Sequence, residues 1–271
     1  MFKFAIIFTI MRLLDNNHLY LLGLFQTDGS LYKFKDKDKY KLSLEISIRD
    51  LDVINKIEEI LSPIVHVTKY YRTRDTNFKK DYKSVAININ TKDFLKKYFT
   101  PFIPVGRKSE TITPPVVKFQ PDYLRGIYDG DGSLGITSNN RAFMSLCTKS
   151  ERLKEYLVGT LIDVIGIELN ISRNVRDDAY NICIYDEAAV KFSELLYANC
   201  CTCLDRKHNA YLKLKNWKRT ANRRLYSCKT WEGWEDLLIL SEELTIAELE
   251  KKLTRTSSSI KTRKWRLNKT T

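Results

Sequence analysis

The sequence predicts an α+β protein made of two similar αββαββα halves followed by a small all-α C-terminal domain. Three observations carry that expectation: an internal repeat, period-two strands between its anchors, and a change of composition after Arg224. Tyr20-Leu-Leu-Gly23-Leu-Phe-Gln26-Thr27-Asp28-Gly29-Ser30-Leu31 returns as Tyr123-Leu-Arg-Gly126-Ile-Tyr-Asp129-Gly130-Asp131-Gly132-Ser133-Leu134. The recurrence continues downstream, where Asp50–Leu61 matches Ser150–Ile162 and Gly106-Arg107-Lys108 matches Asp205-Arg206-Lys207. Self-similarity at a steady offset marks a duplicated structural unit. The prolines Pro101, Pro104, Pro114, Pro115 and Pro121 fall where a linker between copies belongs. The expected boundaries are 12–113, 114–222 and 226–271.

In chain order, Phe4–Ile10 is apolar but too short to span a bilayer, and it lacks a small-residue cleavage site, so secretion is not expected. The first repeated segment is an apolar helix that stops at Asp28-Gly29. Next, Leu42, Leu44, Ile46 and Ile48 alternate with Lys41, Ser43, Glu45, Ser47 and Arg49, as a half-buried strand requires. Upstream, Lys33, Lys35, Lys37 and Lys39 keep the outward phase, with Tyr32 and Phe34 opposite. After the Asp50–Leu61 helix, Val85, Ile87 and Ile89 read as core facing away from Tyr82, Ser84 and Asn88. The second copy repeats the scheme, with Ile165, Ile167, Leu169 and Ile171 inward against Glu168, Asn170, Ser172 and Asn174. Gly29 and Gly132 are read as left-handed caps closing the two apolar helices.

Length and composition bound the function. The 271 residues are 43% hydrophobic and 29% charged, which excludes a disordered chain. Forty-six Lys and Arg against 33 Asp and Glu give a net charge of +13, an excess suited to a polyphosphate partner. The last quarter, from Cys201 onward, holds 17 basic and 8 acidic residues. Six cysteines in a chain of this length do not form a disulfide framework. Cys200, Cys201 and Cys203 near His208 invite a zinc reading, but no second ligand pair stands at finger-like spacing. Reduced thiols are expected, in the cytoplasm or in an organellar matrix or stroma.

The chemistry concentrates at the two helix ends. Gly23 and Thr27, like Gly126 and Gly130, lie four residues apart, so each helix carries a stripe of small side chains that lets two backbones approach. Packed through those stripes, the helices would bring Asp28 and Asp131 together. A carboxylate at a helix C-terminus opposes the macrodipole at a cost of about 0.3–1 kcal/mol, and two together cost more unless a cation joins them.

The segments Leu21–Gly29 and Leu124–Gly132 resemble the LAGLIDADG motif, and their spacing resembles the monomeric double-motif homing endonucleases over residues 15–217. The resemblance implies that the motif helices form a pseudo-twofold interface and that saddle-shaped antiparallel sheets lie in the DNA major groove. It implies that Asp28 and Asp131, with backbone around Gly29 and Gly132, hold a divalent metal at the scissile phosphates. Mg²⁺ is the expected ion, with Ca²⁺ or Mn²⁺ able to substitute. It further implies that a basic residue from each half assists near the attacking water, drawn from the pairs Arg107-Lys108 and Arg206-Lys207, with Lys108 and Lys207 as the catalytic candidates. Gln26 departs from the pattern that Asp129 keeps, which implies asymmetry between the halves. The implied partner is double-stranded DNA with a long asymmetric site, cut in both strands by a monomer that needs no membrane.

Outward residues able to reach base edges are Lys33, Lys35, Arg49, Tyr70, Arg72, Arg74, Asn88, Arg141, Asn170 and Asn174. In the tail, Trp231–Leu240, Leu244–Leu253 and Thr254–Leu267 read as three helices, with Thr245 and Glu248 as a capping box. Seven acidic residues lie between Trp231 and Glu250, and eight basic residues with no acidic ones follow from Lys251. That polarity resembles a Myb-like helix-turn-helix, with Arg255, Lys261, Arg263, Lys264 and Arg266 towards phosphates. A helical cap on the nuclease is the alternative for the tail. The rivals for the whole chain are an RNA-binding intron maturase and a non-catalytic DNA-binding regulator.

Overall fold

A computed structural model of the chain describes residues 17–35, 37–77, 80–115, 117–220, 231–241 and 243–270. The N-terminal apolar segment and Cys228 lie outside the described residues. Two compact units divide the chain, Met1–Thr220 and Ala221–Thr271. Within the described residues of the first unit, helix α1 covers 17–27. Strands β1 (Gly29–Lys33) and β2 (Tyr40–Ser47) follow, then a 3-10 turn (Ile48–Asp50), helix α2 (Leu51–Leu61), β3 (Val67–Arg74), β4 (Tyr82–Ile89) and α3 (Lys92–Tyr98). The second half contains α4 (Pro121–Gly130), β5 (Gly132–Ile136), β6 (Ala142–Thr148), α5 (Glu151–Ile165), β7 (Tyr180–Tyr185), α6 (Glu187–Tyr197) and α7 (Asp205–Lys215). The fold is α+β, with two antiparallel sheets ordered β1-β2-β4-β3 and β5-β6-β7.

Apolar spacing explains the helices. Val53, Ile54, Ile57, Ile60 and Leu61 of α2 fall on one helical face and are buried against the first sheet. Ser150 starts α5 by accepting the Leu153 amide, and Gly166 ends it in the left-handed region at φ 73°. Pro121 sits in the first turn of α4, where its missing donor costs no helical hydrogen bond. The two cores interlock: Leu204 packs into the core of the first half, and Leu19 packs against that of the second.

Three expectations are corrected. In β1 it is Leu31 that points into the core, 2% exposed, while Ser30 and Tyr32 are exposed. Registered against Ser43 and Lys41, these two belong to the open face. Lys33 therefore shares the phase of Leu31, its ammonium over the Tyr40 ring at 5.8 Å, and Lys35 lies in the turn beyond β1. Second, the segment after Ile165 forms no named strand. Ile165 closes α5, and the only pairing between Gly166 and Asn174 among the described residues is the isolated bridge Arg173–Tyr180. Leu169 and Ile171 still pack on the core, so alternation predicted their facing but not their ladder. Third, Gly29 and Gly132 do not adopt positive φ. They are required for space, because a Cβ would lie 2.6 Å from Phe25 and 2.4 Å from Tyr128.

The second unit holds α8 (Gly233–Leu240), α9 (Ile246–Leu253) and α10 (Ser257–Thr270) around Ile239, Leu249, Leu253 and Ile260. The Thr245–Glu248 capping box is formed reciprocally. Among the described residues no helix is long and apolar enough to cross a membrane.

Candidate active site

Helices α1 and α4 meet backbone to backbone. A Cβ on Gly23 would lie 2.3 Å from the Tyr123 carbonyl oxygen, and one on Gly126 would lie 2.2 Å from that of Tyr20. Nothing larger than hydrogen fits between them. The contact continues to the C-terminal ends, where a Cβ on Gly130 would meet the Thr27 hydroxyl at 2.0 Å and an Asp28 carboxylate oxygen at 3.2 Å. Asp28 thus stands beside the residue that precedes Asp131.

Burial and the Asp131 charge push the Asp28 carboxyl up to about 6, against the pull of Lys108, Lys207 and Arg206. Burial also raises Asp131, opposed by Lys108 and Lys207. Each aspartate opens onto a groove. Asp28 lies with Ser30, Tyr32, Lys41, Tyr70 and Arg72 in a cavity of about 450 Å³, and Asp131 with Lys108, Cys147 and Lys149 in one of about 500 Å³.

Both candidate lysines cap the motif helices, by different backbone routes. In the first half, residue 105 pairs with Leu31, and Gly106 takes φ 85° as its amide donates to the Leu31 carbonyl. That turn delivers Lys108, whose ammonium donates to Thr27 O at the end of α1. In the second half, Lys207 lies in the first turn of α7 and donates to Tyr128 O at 2.7 Å and to Gly132 O. Cations at these carbonyls offset the negative helix ends that the aspartates aggravate. Lys207 is 4% exposed, and burial lowers its ammonium to about 8. Arg206 reaches across to Asp50 of the first half at 2.7 Å.

The departure at Gln26 acquires a cause. Its amide nitrogen donates to Phe102 O at 2.9 Å and Thr113 O at 3.0 Å, and its oxygen accepts the Tyr123 hydroxyl at 2.7 Å. The matching Asp129 accepts from Tyr20 at 2.9 Å, Tyr197 at 2.7 Å and the Leu204 amide at 2.7 Å. One pocket offers carbonyls and needs a donor; the other offers three donors and takes a carboxylate.

The first sheet gathers several expected DNA contacts. Registered neighbours place Tyr70, Arg72, Arg74 and Asn88 on one open face, with Lys41 and Ser43 beside them. Glu45 lies at its centre, bonded to Arg72 and Arg74 at 3.1 Å each and to Ser84 at 2.7 Å. Arg49 lies on the 3-10 turn, largely exposed, 3.6 Å from Asp50. The open face of the second sheet is different: Ser133, Phe143, Ser145, Cys147, Asn181, Cys183 and Tyr185 alternate there, with no basic residue on its strands. Basic groups come from turns instead. Arg141 is stacked on Tyr185 at 4.2 Å and bonded to Asp186 at 3.2 Å. Asn170 is exposed outside any element, and the Asn174 side chain accepts the Asp177 amide at 2.7 Å. Sequence reasoning missed Lys41, Lys149 and Asp50. The outward phase of Lys41 was legible; the others depend on contacts distant in sequence.

In the second unit, Arg255 is bound to buried Glu235 at 2.7 Å and lies over Trp231 at 3.8 Å. Arg263 bonds both oxygens of Asp236. These two arginines hold the helices together and are withdrawn from the expected phosphate contacts. For the zinc reading, no group of three or more His, Cys, Asp or Glu side chains among the described residues is placed to hold a metal.

Residues 15–101 match the sequence model of the LAGLIDADG-like domain family. A stretch of 174 residues, 62% of the chain, is 26% identical to a DNA polymerase of Acanthamoeba polyphaga mimivirus, and it spans about 10% of that relative's length. Among solved structures, variants of the homing endonuclease I-DmoI align with 15% identity and a TM-score of 0.48, over 72% of this chain and 96% of theirs. I-SmaMI bound to uncleaved DNA target with calcium ions aligns with 12% identity and a TM-score of 0.46, over 73% and 89%. The homing endonuclease I-WcaI bound to its recognition sequence aligns with 18% identity and a TM-score of 0.45, over 72% and 81%. The first half is thus similar to the LAGLIDADG-like domain family, and the segment that ends at Asp28 is repeated at Asp131.

Proposed function

We propose that this chain is a metal-dependent, site-specific endonuclease that hydrolyses one phosphodiester in each strand of double-stranded DNA. The observation that carries the reading is the pairing of Asp28 and Asp131 at the ends of two helices packed through Gly23 and Gly126. Among the described residues no salt bridge joins either carboxylate. Two carboxylates crowded at negative helix ends are costly for stability and are a hard-oxygen donor set suited to Mg²⁺. With two protein carboxylates at hand, further oxygen ligands are left to backbone carbonyls, water and phosphate.

A bound Mg²⁺ would supply charge neutralisation at the phosphate and acidify a water. The chain's own groups do the rest. Asp28 and Asp131 would hold the cation at one phosphate of each strand, and the glycine contact fixes the distance between the two helix ends. Lys207 and Lys108 are pinned by helix carbonyls, so their positive charge is already in place as negative charge develops. The Tyr70, Arg72, Arg74 and Asn88 face binds the duplex on the Asp28 side, where guanidinium and amide groups match base edges.

The test is cleavage of a randomised duplex library with Mg²⁺, followed by sequencing of the ends. Enrichment of one site cut in both strands is expected, with loss of double-strand cutting but retained binding in Asp28→Asn and Asp131→Asn. Undiminished double-strand cutting by either variant refutes the assignment.

A further inference from the structure

The connection between α6 and α7 places three thiols within four residues, and the proposed hydrolysis uses none of them. The Cys200 and Cys203 sulfurs lie 3.2 Å apart, while Cys201 between them is exposed. A disulfide holds its sulfurs about 2.05 Å apart, so the pair is about 1 Å short of bonding distance.

The two thiols differ in a way that suits successive roles. Cys200 is half-buried, whereas Cys203 is 7% exposed. Hydrogen bonding with Cys203 and the charge of Arg125 lower the Cys200 thiol to about 7, which makes it the nucleophile near neutrality. The bond to Cys200 and burial push Cys203 up. The backbone beside Cys203 is anchored on several sides. Lys56 donates to Cys203 O at 2.8 Å, and Arg125 donates to Thr202 O at 2.8 Å. Thr202 donates to Asn17 at 2.6 Å, and the Leu204 amide donates to Asp129 at 2.7 Å. Closing the bond therefore draws Cys200 towards a fixed Cys203.

We propose that Cys200 and Cys203 form a redox-active dithiol that a small-molecule disulfide of the glutathione type converts to an intramolecular disulfide. The Cys200 thiolate attacks oxidised glutathione, forming a mixed disulfide and releasing one glutathione thiolate. Cys203 then loses its proton and attacks the Cys200 sulfur, expelling the second glutathione thiolate. Two protein thiols are oxidised and one glutathione disulfide is reduced to two thiols. The product ties the end of α6, where Tyr197 holds Asp129, to the start of α7, which carries Lys207.

The experiment uses the full chain with Cys147, Cys183 and Cys228 replaced by Ser, equilibrated in glutathione buffers of graded potential, alkylated and mapped by mass spectrometry. A single Cys200–Cys203 cross-link, reversed by reduced glutathione and kept in Cys201→Ser, is expected. Cys203→Ser should trap one glutathionyl group on Cys200. Circular dichroism melting checks that each variant folds. If Cys203→Ser does not fold, early time points on the parent chain must show the glutathionyl group on Cys200. Modification confined to Cys201, a Cys200–Cys201 cross-link, or free thiols at potentials that oxidise a reference dithiol would each overturn the proposal.

Discussion

Replacing Gly126 by Ala and Gly159 by Ala adds the same methyl group to two helices and should move stability in opposite directions. Gly159 lies inside α5 with nothing within 4 Å of an added Cβ. There the change removes only the conformational freedom of glycine and should stabilise by about 0.5–1 kcal/mol. At Gly126 the same Cβ would lie 2.2 Å from Tyr20 O, 2.8 Å from Leu24 N and 3.1 Å from the Gly23 Cα. All three are backbone atoms, so no rotamer change relieves the clash and α1 must move from α4 by about 1 Å. Overpacking of this kind costs about 1–3 kcal/mol. The upper end applies, because the opposing surface is rigid. After the helix-propensity gain, a net loss of about 2 kcal/mol remains. For a unit of this size that lowers Tm by roughly 4–8 °C. Separation also displaces Asp28 from Asp131, so double-strand cleavage should fall by more than the loss of folded protein explains. Urea melts and single-turnover cleavage of both variants supply the comparison. Equal stability of Gly126→Ala and Gly159→Ala, with normal cutting by both, would refute the close-contact argument.

Asp28 should be a stability liability that a cation relieves. Its folded carboxyl sits at about 6, above the ordinary 3.8, so between those values the native state holds a proton the unfolded chain has released. Stability therefore falls as pH rises from about 4 to about 6, and Asp28→Asn should remove that fall. The full shift would correspond to about 3 kcal/mol, but Asp28 lines an open groove, and solvent screening there leaves about 1 kcal/mol. Without metal, Asp28→Asn should melt higher above pH 6 and like wild type below pH 4; the same difference at both ends would contradict the linkage. The Gln26 and Asp129 pockets should not exchange residues: Gln26→Glu sets a carboxyl against Phe102 O and Thr113 O, and a loss of about 3 kcal/mol is expected in denaturant melts. Asp129→Asn turns a donor towards Tyr20, Tyr197 or the Leu204 amide and should cost about 2 kcal/mol; neutrality of both swaps would reject the donor–acceptor account. If α10 contacts phosphate, replacing Lys261, Lys264 and Arg266 by Gln should flatten the logarithmic salt dependence of DNA binding by about 2–3. An unchanged slope would remove α10 from the interface.

Much of this architecture was legible in order along the chain. The repeat, its two aspartates and lysines, the apolar face of α2 and the inward phase of β2 are local or periodic patterns, and side-chain periodicity fixes which face is buried. The glycine stripes even announced which helices would meet. Other features depend on partners that no local window contains. Gly29 and Gly132 read as left-handed turns because Asp-Gly usually is one, yet Phe25 and Tyr128 make them a matter of space. The Lys33 and Tyr32 phases were exchanged because the run of lysines looked like one strand, whereas β1 stops at Lys33 and Leu31 sets the inward side. Alternation after Ile165 marked facing correctly, but a ladder needs a second edge, and only Arg173 finds one. Arg255 and Arg263 looked like phosphate ligands because their acidic partners, Glu235 and Asp236, lie 20 and 27 residues earlier. The sequence alone determined which residues carry the chemistry, since charge and spacing are written in it. Only the tertiary structure decided which of those charges are already paired, because pairing depends on distance in space and not on distance along the chain.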